Sequence, residues 1–225
     1  QAVVDPGQVI AGGITRFKLS SGGVLLVKPV HHSPLVAAQF QFDGGQRLEP
    51  PQLCGGMSLL ARTLLKGVPG MDAPALAQAM DDLGLALGPQ VDADRFILGF
   101  QALSDKLEPS LALAGKVLRE ATLPDDELSK EKARALKDLK DKTDSPDDYV
   151  ADLFSAAFFG SKSAYGRPID GDAAGIKRVG PAQLRQLRDA ALRPEHLLVA
   201  LVGDIEPQRA REVVEAELGT EAWTV

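Results

Sequence analysis

Three strand-length stretches, Ile14–Leu19, Val24–Pro29 and Leu35–Asp43, follow one another with only turns between them. Ser20–Ser21–Gly22–Gly23 joins the first two as a hairpin. In the third, Phe40 and Phe42 alternate with Gln39, Gln41 and Asp43, the period of two that marks a half-buried strand. Helical periodicity then takes over. Leu53, Met57, Leu60 and Leu64 form one stripe over about Leu53 to Leu65, closed by Lys66–Gly67, and Asp72 caps Ala73–Leu83 with Pro74 in the first turn.

Leu85–Val91 and Arg95–Leu103 read as paired strands, and Ser104 or Asp105 as the cap of an amphipathic helix to about Ala121. Pro124 opens a charged helix to about Thr143. Ser145–Pro146–Asp147–Asp148 opens another, which is expected to carry Val150, Leu153, Phe154 and Phe158 to the core. A short helix over Pro181–Leu192, a buried strand over Glu195–Val202 and a helix over Glu206–Leu218 complete the order. Runs of strands and helices without strict alternation predict an α+β fold, a mainly antiparallel sheet with helices packed on one face. The late strand is expected to join the sheet begun by the early ones. Residues 1–13 read as a lead-in or linker, 14–218 as a single domain and 219–225 as the start of a further linker.

Composition excludes several classes. Acidic residues outnumber basic ones 31 to 25, a net charge of -6, which argues against nucleic acid as a partner. The longest apolar run, Leu197–Val202, is far short of the ~20 residues of a membrane-spanning helix, so no transmembrane segment is expected. Cys54 is the one cysteine, which rules out an internal disulfide and a cysteine-based metal site. At a helix start, next to Gly55–Gly56, its thiol is a candidate for a lowered pKa, but a lone unpaired cysteine reads first as structural. The chain begins at Gln1 rather than Met, so a signal peptide, a tag or an upstream domain is expected to precede it.

The histidines are His31, His32 and His196. A catalytic zinc site usually takes three protein ligands, commonly two or three of them histidine. Adjacent residues such as His31 and His32 point to opposite faces of a strand, so all three histidines read as exposed or structural. Met57 and Met80 read as core, Lys130–Lys142 as a solvated mixed-charge helix, and Tyr165 and Arg167 as loop-packing residues.

Ile14–Gly45, with its Ser–Gly–Gly turn and Gly–Gly ending, resembles the opening of insulinase, pitrilysin and mitochondrial processing peptidase domains. There the next helix bears the inverted zinc motif His-x-x-Glu-His, followed by an apolar pair and Lys–Gly. Gly56–Met57–Ser58–Leu59–Leu60–Ala61–Arg62–Thr63–Leu64–Leu65–Lys66–Gly67 fits that frame without a gap. The resemblance puts Ser58 at the first histidine, Ala61 at the catalytic glutamate and Arg62 at the second histidine. It puts Asp138 at the third-ligand position and Glu131 at a supporting acid, followed by Asp144–Ser145–Pro146. Tyr165–Gly166–Arg167–Pro168–Ile169–Asp170–Gly171 resembles the family's Gly–Arg–Pro loop, and Leu197–Asp204 its closing strand with Gly–Asp. The ordered set covers roughly residues 14–218, one lobe of the two or four that family members carry.

The departures remove the chemistry. Hydroxyl is a poor zinc ligand, Ala61 has no base, and a guanidinium cannot coordinate a cation. No catalytic residue, no metal and no cofactor is therefore expected. Arg62 is a candidate to point toward Asp138, Glu131 or both, in the place of the zinc charge; the alternative makes Glu131, Ala135 and Asp138 a solvated helix face. The resemblance implies a non-catalytic lobe that pairs with a zinc-bearing lobe or subunit around an unfolded peptide. Its rivals are a scaffold with no proteolytic partner, and last an enzyme using Asp138, Glu131 and Ser58, which lacks an evident base for the serine. Bacterial relatives often carry export signals, so a periplasmic or secreted place is preferred to the cytoplasm.

Overall fold

The computed structural model describes residues 6–142, 145–219 and 223. The strands are β1 (Gln8–Ile10), β2 (Ile14–Lys18), β3 (Val24–Pro29), β4 (Leu35–Asp43), β7 (Gly88–Val91), β8 (Arg95–Leu103) and β9 (Leu197–Gly203), with a two-residue pair, β5 (Gly67–Val68) and β6 (Met71–Asp72), set apart. The seven-stranded sheet runs β1-β2-β3-β9-β4-β8-β7. Every neighbour is antiparallel except β3 and β9. The late strand thus joins the sheet begun by the early ones, as expected, and its place is at the centre, between β3 and β4. Residues 8–10 of the expected lead-in are not a free linker, because they pair with β2 as an exposed edge strand.

The helices are α1 (Gly56–Leu64), α2 (Ala73–Leu83), α3 (Leu107–Glu120), α4 (Asp125–Lys142), α5 (Pro146–Phe159), α6 (Ala173–Arg178), α7 (Pro181–Ala191) and α8 (Pro207–Leu218). Asp72 caps α2 as expected, its carboxylate accepting from Ala75 N–H at 3.0 Å. Ser104 and Asp105 do not cap α3. They lie in a 3₁₀ turn before it, and Ser104 turns its hydroxyl to Asp204 instead. Thr143, the expected end of α4, lies outside the described residues.

The core lies between one face of the sheet and the helices. Phe17, Leu25, Phe40, Phe42, Phe96 and Leu98 point into it and meet Leu59, Leu60, Leu111 and Val117. Burying a large apolar side chain stabilises by about 1.5–3 kcal/mol, so the alternation in β4 alone favours this register strongly over a one-residue slip. The opposite face stays open, a shallow hollow of about 570 Å³ lined by residues such as Ala37, Gln39, Ile97, Gly99, Ala200 and Val202. Trp223 rests edge-on against Phe42 with ring centroids 5.7 Å apart.

One expectation fails. Val150, Leu153, Phe154 and Phe158 do not reach the core; they are 52% to 70% exposed. The polar side of α5 faces the protein, where Asp152 meets Lys142 of α4 at 2.8 Å, and its apolar side faces out.

Candidate functional site

Helix α1 is almost engulfed. Met57, Leu59, Leu60, Thr63 and Leu64 are buried, which leaves Ser58, Ala61 and Arg62, at i, i+3 and i+4, on a half-buried stripe. The helix starts at Gly56, three residues later than the apolar stripe predicts, because Pro51–Leu53 forms a 3₁₀ turn and Gly55 adopts a left-handed conformation (φ 93°). Its first N–H groups are met by a residue that the periodicity does not flag. Glu49, 3% exposed, accepts from Gly55 N–H at 3.1 Å and from Met57 N–H at 3.0 Å. Burial pushes the Glu49 carboxyl up, and these two N–H groups pull it back.

Helix α4 packs beside α1 and presents Glu131, Ala135 and Asp138 to it. Arg62 Nη1 donates to Asp138 Oδ2 at 2.7 Å. Glu131 is taken by other cations: Lys66 Nζ lies 3.1 Å from its Oε1, and Arg134 Nη1 donates to the same oxygen at 2.5 Å. Arg62 therefore faces Asp138 and leaves Glu131 to the lysine that follows α1. Glu131 and Ala135 are 4% and 5% exposed, so the solvated-face alternative holds only for the outer part of α4. A cleft of about 450 Å³ opens over this spot, bordered by Arg62, Ala135, Asp138, Lys142, Ser145 and Asp170.

This donor set does not fit zinc. Two of the stripe's positions carry a hydroxyl and a methyl, and the third carries a permanent cation already bound to the nearby carboxylate of Asp138. Among the described residues no three His, Cys, Asp or Glu side chains converge. A guanidinium between two helices supplies positive charge and orientation for Asp138, without Lewis acidity or a bound water to activate.

The loop that resembles Gly–Arg–Pro packs against the segment that leads into the start of α1. Gln46 Nε2 donates to the carbonyls of Arg167 at 3.2 Å and Pro168 at 2.8 Å, and Arg167 Nη2 donates to Glu49 O at 3.3 Å. Tyr165 Oη donates to Asp94 Oδ1 at 2.7 Å, a loop-packing role as expected. Gly171, with φ 89°, runs so close to α1 that a Cβ there would lie 2.5 Å from Cys54 O. Cys54 is buried under this loop, the structural place preferred for a lone cysteine, and burial pushes its thiol up to about 12, against the lowering that a helix start can give. Met57 is core and Met80 packs against it.

The histidines lie away from α1. His31 and His32 sit in the β3–β4 connection rather than on a strand, and His196 sits in a 3₁₀ turn before β9. His31 Nδ1 lies 2.8 Å from Asp204 Oδ1 and its Nε2 3.4 Å from Glu206. Ser104 Oγ donates to the other Asp204 oxygen at 3.1 Å. The bond to Asp204 holds the imidazole above its ordinary range, and the same bond holds Asp204 below the usual carboxylate range.

The chain is 27% identical over 219 residues to an uncharacterized zinc protease of Mycobacterium tuberculosis, covering 96% of this chain and 49% of that protein. It is 22% identical over 211 residues to human cytochrome b-c1 complex subunit 1, covering 93% of this chain and 44% of the relative. The chain thus spans about half the length of the relatives it matches. A crystal structure described as a peptidase M16 inactive domain from Pseudomonas fluorescens superposes with a TM-score of 0.86 at 26% identity, covering 92% of this chain and 51% of that one. Residues 25–172 match the insulinase family (peptidase family M16), and with the α+β lobe and the ordered landmarks around α1 and α4, the chain belongs to that family.

Proposed function

We infer that residues 14–218 form a non-catalytic lobe that pairs with a zinc-bearing lobe or subunit of the same family to hold an unfolded peptide for proteolysis. The observation that carries this reading is the Arg62–Asp138 ion pair at 2.7 Å, on the helix face where the family's metal motif belongs. It sets a fixed positive charge beside Asp138, at the place the resemblance gives to the metal. Hydrolysis by a metallopeptidase needs a water-activating ion and a general base, and Ser58, Ala61 and Arg62 offer neither. The resemblance to a domain described as inactive supports the same reading.

A structural scaffold without a proteolytic partner is the second reading, favoured by the likeness to a cytochrome b-c1 subunit.

Zinc content after dialysis against metal-free buffer, with melting curves at rising zinc concentration, tests the first point. No stoichiometric metal and no rise in Tm are expected, since a ligand stabilises only the state that binds it. One zinc per chain would overturn the reading. Peptide hydrolysis by the chain with and without a His-x-x-Glu-His lobe from the same genome then separates the two roles: a peptidase partner gives chelator-sensitive turnover in the mixture only, a scaffold none.

A further inference from the structure

Helix α5 is amphipathic the wrong way round for a chain folding alone. Tyr149, Val150, Leu153, Phe154, Phe158 and Phe159 are 49% to 70% exposed. The aromatic rings touch one another rather than the core. Phe154 stacks on Phe158 at 5.5 Å, Phe158 meets Phe159 edge-on at 4.9 Å, and Phe159 tilts against Tyr165 at 5.8 Å. The helix is held in this orientation by its polar side, through the Asp152–Lys142 ion pair at 2.8 Å, and by the loop at 164–166. Rotation to bury the rings would break both.

We propose that the aromatic face of α5 is the surface on which the companion lobe of this family docks, a reading that rests on the lobe pairing inferred above. Area supports it. An aromatic side chain has roughly 150–250 Å² to bury. The cluster therefore presents several hundred Å², on the scale of the largest patches on free monomers, about 300–600 Å², and a large part of the ~800 Å² that each side gives to a stable interface. Aromatic anchors at this density are the composition of interface centres.

A companion lobe is the occupant that length favours: the Mycobacterium relative and the Pseudomonas chain hold about as much polypeptide again beyond the matched part, which covers 49% and 51% of them. Helix α5 lies near the cleft over Arg62 and Asp138 through its inward side, where Asp152 pairs with Lys142 on the cleft's border, and its aromatic face is turned away from that cleft.

The test is co-expression of the chain with a tagged His-x-x-Glu-His lobe from the same genome, comparing wild type with the double variant Phe154→Asp, Phe158→Asp. Both side chains are exposed, so the variant is expected to keep the wild-type circular dichroism spectrum and melting curve. Wild type should co-purify with the tagged lobe, and the variant should bind at least about tenfold more weakly. Equal binding by both overturns the docking face and leaves lobe pairing intact. No binding by either overturns the pairing itself, and with it this inference. Two further results also overturn the choice of partner: self-association of the chain alone, seen by light scattering and abolished in the variant, or co-sedimentation with phosphatidylcholine vesicles lost in the variant while lobe binding persists.

Discussion

Two carboxylates on one helix face, Glu131 and Asp138, are neutralised by different means, and the difference is one of burial. Arg62 and Asp138 are 30% and 55% exposed at the side chain, so water and salt screen the pair. Arg62→Ala is expected to cost less than about 1 kcal/mol of unfolding free energy. Glu131 is 5% exposed, and Lys66, at 25%, is its partner from beyond α1. Orphaning a buried charge costs about 3–5 kcal/mol, but Arg134 stays in place, so Lys66→Met should cost on the order of 2 kcal/mol by the same reasoning. Urea denaturation of the two variants side by side checks the ranking; an Arg62 effect larger than the Lys66 effect would refute it. Of these residues, the sequence alone identifies Arg62, Glu131 and Asp138 by their places in the family frame. It cannot tell which cation takes which acid, since that depends on how far α1 has turned when the chain reaches Lys66.

Among the elements, α1 depends on a residue outside it. Glu49 meets two N–H groups at the helix start, the work that a side chain at the cap position usually does. Glu49→Ala should cost about 2 kcal/mol, the desolvation of orphaned donors plus the lost bonds, and Glu49→Gln less, because one oxygen still accepts. Thermal melts of both measure this.

A second junction ties the β3–β4 connection to the corner after β9 through His31 and Asp204. The folded imidazole is held above its ordinary value of 6.5, so its contribution is fully present below that value and is lost as pH rises through the raised folded one. Tm should therefore decline as pH rises from about 6.5 through the raised folded value, and His31→Gln should flatten that slope. Equal slopes would show that the pair does not couple to folding. Strands β2, β3, β4, β8 and β9 and helices α2, α7 and α8 were legible within a few residues, because their apolar periods and caps act locally. Glu49 was not, because its partners lie several residues on, past a 3₁₀ turn. The apolar stripe of α5 was legible as a stripe and misassigned to the core: periodicity reveals that a face is apolar and carries no information on what it faces.

The whole molecule is a sheet with one covered face, and its energetics should follow the face rather than the strand. Phe40 is fully buried, whereas Gln39, its neighbour on β4, points to the open side. Phe40→Ala should cost about 3–5 kcal/mol, and Gln39→Ala should stay within about 0.5 kcal/mol. Chemical denaturation of the pair reads this asymmetry directly; similar losses would mean that the open face is covered in solution.

The placement of β9 bears on how such a chain is made. Val24 pairs with Leu198, and Phe40 with Val199, so both inner strands wait for a neighbour encoded near the far end. While a ribosome is still translating, β3 and β4 leave the exit tunnel with unpaired backbone edges and no strand to separate them. Closure of loops this long is slow, and open edges invite pairing between chains. A chain that stops before residue 197 should therefore accumulate in inclusion bodies, and the full chain should gain most in soluble yield from chaperones that shelter nascent polypeptide.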